Sequence, residues 1–422
     1  LPLSAAIDFN WTAGGWIHFV VQGHDVIRGP LGVLCYLPLI IPWWLTPKQY
    51  RPAYLSISSL LLAFLTLGSG YTLTIGGLTL IGWLMIRYTS SRRWRWLGVS
   101  CLTMLYAGFL LWPQPPWFPP VDLPLYFYLH WAGIGYIYLK TLHVLSDSAA
   151  GTLSKPSFND FCAFLLFAPT LRMGPIYRFH DFRTQMYGYL PDRLKIAHAL
   201  FRFFTAFIRL GAMSWLTTRF PIRETFAHPE QLGSLEFIMA IYAAPISIYL
   251  WISGYIDLSI GLGRLMGFKV PENFNYPWTA VNIADFWRRW HITLGAWLRD
   301  YIYIPLGGNR RHVFLNYLAA FGFVGVWHGL YPSYICWGLS QGVALGVRRK
   351  WSRYWDKQRA QSPPLYRRLA GLRLAGSSFN TALCWLLTFH YQILTIAWFM
   401  DEEHTGLRFG RRLLELLAQA FS

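Results

Sequence analysis

The sequence predicts an all-α, polytopic membrane protein, and three observations carry that prediction. Of the 422 residues, 54% are hydrophobic and only 13% charged, with 22 tryptophans, a balance far from that of an ordinary soluble enzyme. Apolar runs that approach the roughly 20 residues a helix needs to cross hydrocarbon recur along the chain. The basic residues lie in short segments between those runs, the positive-inside pattern of a multi-pass protein.

Taken in order, candidate spans fall at about residues 26–44, 53–71, 73–87, 96–112, 123–145 and 158–169, then 197–216, 235–263, 314–327, 333–347 and 381–400. Several are short or interrupted, as at Leu31-Gly32 and Ile75-Gly76-Gly77. At membrane depth such breaks need surrounding protein or a water-filled cavity to satisfy the freed backbone groups, so tilted or re-entrant elements are expected among the spans.

The formal net charge of +18 does not indicate nucleic acid, because the cations are not gathered on one soluble face. Arg92-Arg93-Trp94-Arg95 and the block from Arg348 to Arg373 read instead as cytoplasmic segments, the second being a polar linker that includes Ser362-Pro363-Pro364. Cys35, Cys101, Cys162, Cys336 and Cys384 show neither metal-ligand spacing nor a disulfide framework. Zinc-type histidine pairs, Rossmann and P-loop glycine patterns are absent, and no metal is expected. Nor is there a signal-peptide pattern at the start, an internal repeat or a separate soluble stretch. A single integral membrane domain over residues 1–422 is therefore expected.

One stretch runs against this apolar background. FWRRWHITLGAWLRDYIYIPLGGN, residues 286–309, carries three arginines, an aspartate and a histidine, and each charge at the centre of a bilayer costs roughly 2.5–3.5 kcal/mol on insertion scales. The lack of strong breakers from Asp285 to Pro305 predicts a helix of about five turns. On it Asp285 meets Arg288 and Arg289 one turn on, His291 lies beside small Gly295, and Pro305 to Asn309 forces a turn. A helix that enters from the cytoplasm and turns back would accommodate the charges. A second polar residue, His328, stands roughly 25 Å along its helix from Arg311, among Gly322, Gly325 and Gly329, which are expected to open space beside it. A neutral imidazole there is either satisfied structurally or a general base able to take a proton from an attacking hydroxyl.

Four segments in order carry a family resemblance: Gly254-Tyr255-Ile256-Asp257-Leu258-Ser259-Ile260-Gly261-Leu262-Gly263, Pro271-Glu272-Asn273-Phe274-Asn275-Tyr276-Pro277, residues 286–309, and Trp327-His328-Gly329. Together with Met173-Gly174-Pro175-Ile176-Tyr177-Arg178-Phe179 upstream, they resemble the signature of membrane-bound O-acyltransferases, most closely the bacterial branch that includes alginate O-acetyltransferases. The resemblance covers about residues 158–346. It implies a ring of about eleven tilted and re-entrant helices around a transmembrane tunnel, with His328 catalytic and His291 at the second signature position.

Under that resemblance, Arg288, Arg289 and Arg299 would meet the phosphates of a nucleotide donor, or else pair structurally with Asp285 and Asp300. Trp287, Trp290, Asp300, Asn309 and Trp327 would line the donor site or tunnel, and Asp257 would be either a tunnel residue or a paired structural carboxylate. His143, His180, His312 and His390 have no comparable setting. The resemblance further implies acetyl-CoA as donor, with no permanently bound cofactor, and an extracytoplasmic polysaccharide as acceptor. It also implies an SGNH-type, serine-hydrolase-like relay protein outside and a location in the bacterial inner membrane. D-alanyl transfer to an envelope polymer is the enzymatic alternative; a transporter and a scaffold are the non-enzymatic ones.

Overall fold

The computed structural model describes residues 30–89, 92–111, 133–188, 191–220, 228–360, 373–374, 377–399 and 407–421. The described chain is helical apart from a two-residue antiparallel pairing of β1 (Arg373–Leu374) with β2 (Ser377–Ser378). Among the described residues three helices are long and apolar enough to cross a membrane, Gly68–Tyr88, Arg193–Arg219 and Ser234–Leu265. The predicted stretches 26–29, 123–132 and 361–372 lie outside the described residues.

The first of two compact units comprises residues 1–210 and 252–271. After a 3₁₀ segment, Pro30–Leu39, come α1 (Ile40–Leu45) and the long α2 (Arg51–Tyr88). The break in α2 lies at Gly68, with φ 85° and ψ 175°, a conformation open to glycine alone. The expected break at Gly76-Gly77 is not there: both continue the helix, since glycine lowers helix propensity without forbidding the helix. There follow α3 (Arg92–Leu111), α4 (Ile134–Ala149), α5 (Phe158–Leu165), α6 (Ala168–Leu171) and α7 (Phe179–Met186), then α8 (Arg193–Arg219) and α9 (Ser234–Leu265), whose residues 211–219 and 234–251 are counted in the second unit. The predicted span 158–169 is thus corrected to two short helices of 8 and 4 residues, each buried among Phe164, Phe167, Phe182 and Phe268. On α8, Phe201, Phe204, Phe207 and Ile208 are exposed, an apolar outer surface suited to lipid.

The second unit comprises residues 211–251 and 272–422. It contains α10 (Ile283–Arg289), α11 (Ile292–Leu298) leading into a π-helical turn over Arg299–Tyr303, α12 (Val313–His328), α13 (Pro332–Ala360), α14 (Phe379–Phe399) and α15 (Leu407–Phe421). Helices α12 and α13 form a tight antiparallel pair. A Cβ at Gly325 would stand 2.5 Å from the Tyr334 carbonyl oxygen, and one at Gly342 would stand 2.9 Å from that of Tyr317; small residues here let two backbones meet. The basic block from Arg348 begins as an extension of α13 that stays helical to Ala360. On α15, Leu413 and Leu416 pack against Phe237, Ile241 and Ile393, while Leu414 is exposed.

Candidate functional site

The charged stretch does not form one helix. It breaks at Trp290-His291, where His291 takes a left-handed backbone with φ 47°, which corrects the five-turn helix expected from the sequence. The physical cause is pairing from outside the stretch. Asn275 N–H donates to the Arg289 carbonyl at 2.9 Å, and Ile292 N–H donates to the Asn273 carbonyl at 2.9 Å. These bonds satisfy backbone groups on both sides of the break, so the lost helical bonds cost little. Helix α10 starts one residue after Asn282, whose side chain caps it by accepting from Asp285 N–H at 3.0 Å.

His291 is 6% exposed and sits in a closed polar knot. Asn273, wholly buried, directs its amide nitrogen at His291 Nδ1 across 3.2 Å, while its oxygen accepts from the N–H and the hydroxyl of Thr293, both at 2.9 Å. Burial pushes the imidazole pKa down from 6.5 to about 4, because the charged form loses its hydration. Gly295 does stand clear: an added Cβ would meet nothing closer than the Trp287 carbonyl oxygen at 3.5 Å.

The arginines of the stretch pair locally. Arg288 and Arg289 each reach Asp285 at 3.1 Å, on different oxygens, and Arg299 reaches Asp300 at 2.8 Å. Burial pushes the Asp285 carboxyl up, but the two guanidinium groups and the Val281 N–H outweigh it and hold the group below its usual range. Arg288 and Arg299 remain well exposed despite these pairs. Trp290 is boxed by Phe274 and Phe286 at ring distances of 5.0 and 5.5 Å. Asn309 accepts from Tyr303 at 2.9 Å and from Arg349.

His328 is the last residue of α12, and Gly329, at φ 153°, ends the helix. The expectation that glycines open space beside His328 fails at Gly325, which is filled by the backbone of α13. What surrounds His328 is aromatic: Trp327, Trp337 and Phe399 lie at ring distances of 4.9, 5.7 and 5.1 Å. Trp287, from the charged stretch, packs on Trp337 at 6.0 Å, so two rings in succession connect that stretch to His328. Trp287 is in turn held by Gln341, which accepts its indole N–H at 3.2 Å.

Asp257 belongs to the first unit and the other candidates to the second. It is a paired carboxylate: Arg202 and Arg209 each approach one of its oxygens at 2.7 Å, and Thr205 donates at 3.1 Å. Sequence reasoning missed Asn273 and Trp337 beside the two histidines; the first carried a signal, being one of two asparagines in a quoted motif. His143, outside this site, is 1% exposed and accepts the Phe179 N–H at 3.2 Å, close to fully buried Lys140. Among the described residues no group of three or more histidine, cysteine or acidic side chains could hold a metal ion.

The profile of the membrane-bound O-acyltransferase family matches residues 83–373, a wider stretch than the sequence motifs alone covered. A probable alginate O-acetylase of Pseudomonas aeruginosa is 30% identical over 434 residues, which takes in 92% of this chain and 79% of that protein. The peptidoglycan O-acetyltransferase of Helicobacter pylori is 35% identical over 270 residues, 60% of this chain and 46% of that protein. The teichoic acid D-alanyltransferase of Bacillus subtilis is 28% identical over 299 residues, 67% of this chain and 70% of that protein.

Proposed function

The chain belongs to the membrane-bound O-acyltransferase family, and from that premise we propose that it is an O-acetyltransferase of the bacterial inner membrane. It takes acetyl from cytoplasmic acetyl-CoA, with no resident cofactor, and delivers it to a hydroxyl of an extracytoplasmic polysaccharide. The observation that carries the reading is the pair of signature histidines in distinct settings. His291 is locked and neutral in a polar knot, and His328 ends an apolar helix inside an aromatic cage. In this scheme His328 is the general base for the attacking hydroxyl, a role worth on the order of 10²–10⁴ in rate. His291 presents a fixed Nε2–H donor. Arg288 and Arg299, exposed beyond their aspartate pairs, face the donor phosphates.

The acceptor at the outer mouth is a serine of an SGNH-type relay protein, which passes the acetyl group on to the polymer. Expression of this chain alone, in a host without such a partner, should give no acetylated polymer while purified protein still consumes acetyl-CoA. Polymer acetylation by the purified chain with only donor and polysaccharide added would eliminate the relay. D-alanyl transfer is the second reading, favoured by the likeness to teichoic acid D-alanyltransferase. Supplying acetyl and D-alanyl donors in parallel separates the two.

A further inference from the structure

Trp337 lies on α13 and is 6% exposed, yet its indole N–H has no hydrogen-bond acceptor among the described residues. Buried donors are nearly always satisfied in folded proteins, and an exception calls for an explanation. Its position makes the exception pointed, because the ring meets His328 nearly at right angles, 83°, at 5.7 Å. The hydroxyl of wholly buried Ser333, one turn earlier on the same face, is likewise without a partner. One turn later, by contrast, Gln341 accepts from both Trp287 and Gln392 at 3.2 Å. Loose packing of α13 therefore does not account for the orphaned donor; the polar groups of that face are satisfied until they reach His328.

Resting on the acetyl-transfer reading above, we infer that the Trp337 indole N–H is a catalytic hydrogen-bond donor to the carbonyl oxygen of the transferred acyl group. As His328 takes the proton from the acceptor hydroxyl, the hydroxyl oxygen bonds to the thioester carbon and the carbonyl electron pair moves onto oxygen. That oxyanion accepts the Trp337 N–H. When the C=O bond re-forms, the C–S bond breaks, and the leaving thiolate takes the proton back from the imidazolium. Trp337 transfers no proton. A donor held in place by packing before charge appears needs no reorganisation when it does, and this is where such a bond contributes most.

The test is steady-state turnover of acetyl-CoA by the purified full chain, with Trp337→Phe and with a site-specific benzothienylalanine at 337, which keeps the indole shape but lacks the N–H. Both should lower kcat about 100-fold while leaving KM for acetyl-CoA within about twofold and the thermal midpoint unchanged. The analogue decides the matter if the Phe variant fails to fold. A kcat within about twofold of wild type in either folded variant overturns the inference. So does a loss that tracks a lowered thermal midpoint, which would mark Trp337 as packing only. Absence of turnover by the wild-type chain would overturn the acetyl-CoA reading and this inference together, whereas wild-type turnover with an unaffected variant overturns the inference alone.

Discussion

Asn273 donates from its side-chain amide to Nδ1 of His291 across 3.2 Å, and Thr293 sets the orientation of that amide by donating twice to its oxygen at 2.9 Å. The amide oxygen is thereby fixed on the Thr293 side, its nitrogen faces the imidazole, and Nδ1 must be the acceptor. The ring proton is then on Nε2. His291 is a donor in this state and cannot be the base, so the proposed scheme gives that role to His328.

Asn273→Ala should remove the donor to buried Nδ1 of His291 and the acceptor of the two Thr293 bonds, at a cost of roughly 2–4 kcal/mol in stability. Acetyl-CoA turnover should fall by about tenfold or more. Thermal unfolding and turnover of the purified variant check both; a loss of stability with full turnover would show that His291 orientation does not matter.

The pH dependence follows from His291. Its folded pKa, about 4, lies below the ordinary 6.5, so the unfolded chain takes up the proton first as pH falls. The contribution is full above pH 6.5 and is lost progressively as pH falls towards 4, by at most about 3 kcal/mol. Thermal midpoints between pH 7.5 and 4 should fall more steeply for wild type than for His291→Gln. Parallel profiles would reject the assignment.

Replacing His328 with Gln should lower turnover at least about 100-fold while the protein elutes and melts as wild type, because the ring is only half-buried and ends its helix. Near-normal turnover in that variant would remove the base from His328.

Gly342→Ala should cost roughly 1–3 kcal/mol, because its Cβ would stand 2.9 Å from the Tyr317 carbonyl oxygen with no flexible neighbour to yield. Gly77→Ala is the control: nothing lies within 4 Å of its Cβ, and helix propensity predicts a gain of about 0.5–1 kcal/mol. Equal effects in chemical denaturation would contradict the close packing of α12 on α13.

Single cysteines placed at Arg95 and Lys357 should both resist a membrane-impermeant label in intact cells and react after lysis, because both lie in basic segments beside apolar helices. Labelling of either in intact cells would reverse the donor entry side.

The helices were legible because their causes are local. Length and apolarity announce Arg193–Arg219 and Ser234–Leu265 within a few residues of where they lie, and i+3 and i+4 spacing correctly paired Arg288 and Arg289 with Asp285. Spacing alone left Asp257 undecided, since its partners Arg202 and Arg209 are some fifty residues away in the chain. The same distance problem explains the glycines near His328: composition shows that a side chain is missing, not whether a cavity or another backbone takes its place.

The sequence by itself determined that this is an apolar helical chain of a recognisable acyltransferase kind, with two histidines in costly positions, because hydrophobic length, charge and motif order are properties of neighbouring residues. Only the tertiary structure decided that the charged stretch breaks at His291, that Asn273 selects its tautomer, and that the Trp337 ring, its N–H unsatisfied, packs against His328. Each depends on a hydrogen bond, or the lack of one, between segments distant in the chain. In a buried site, where water cannot complete the set, those bonds decide conformation and protonation.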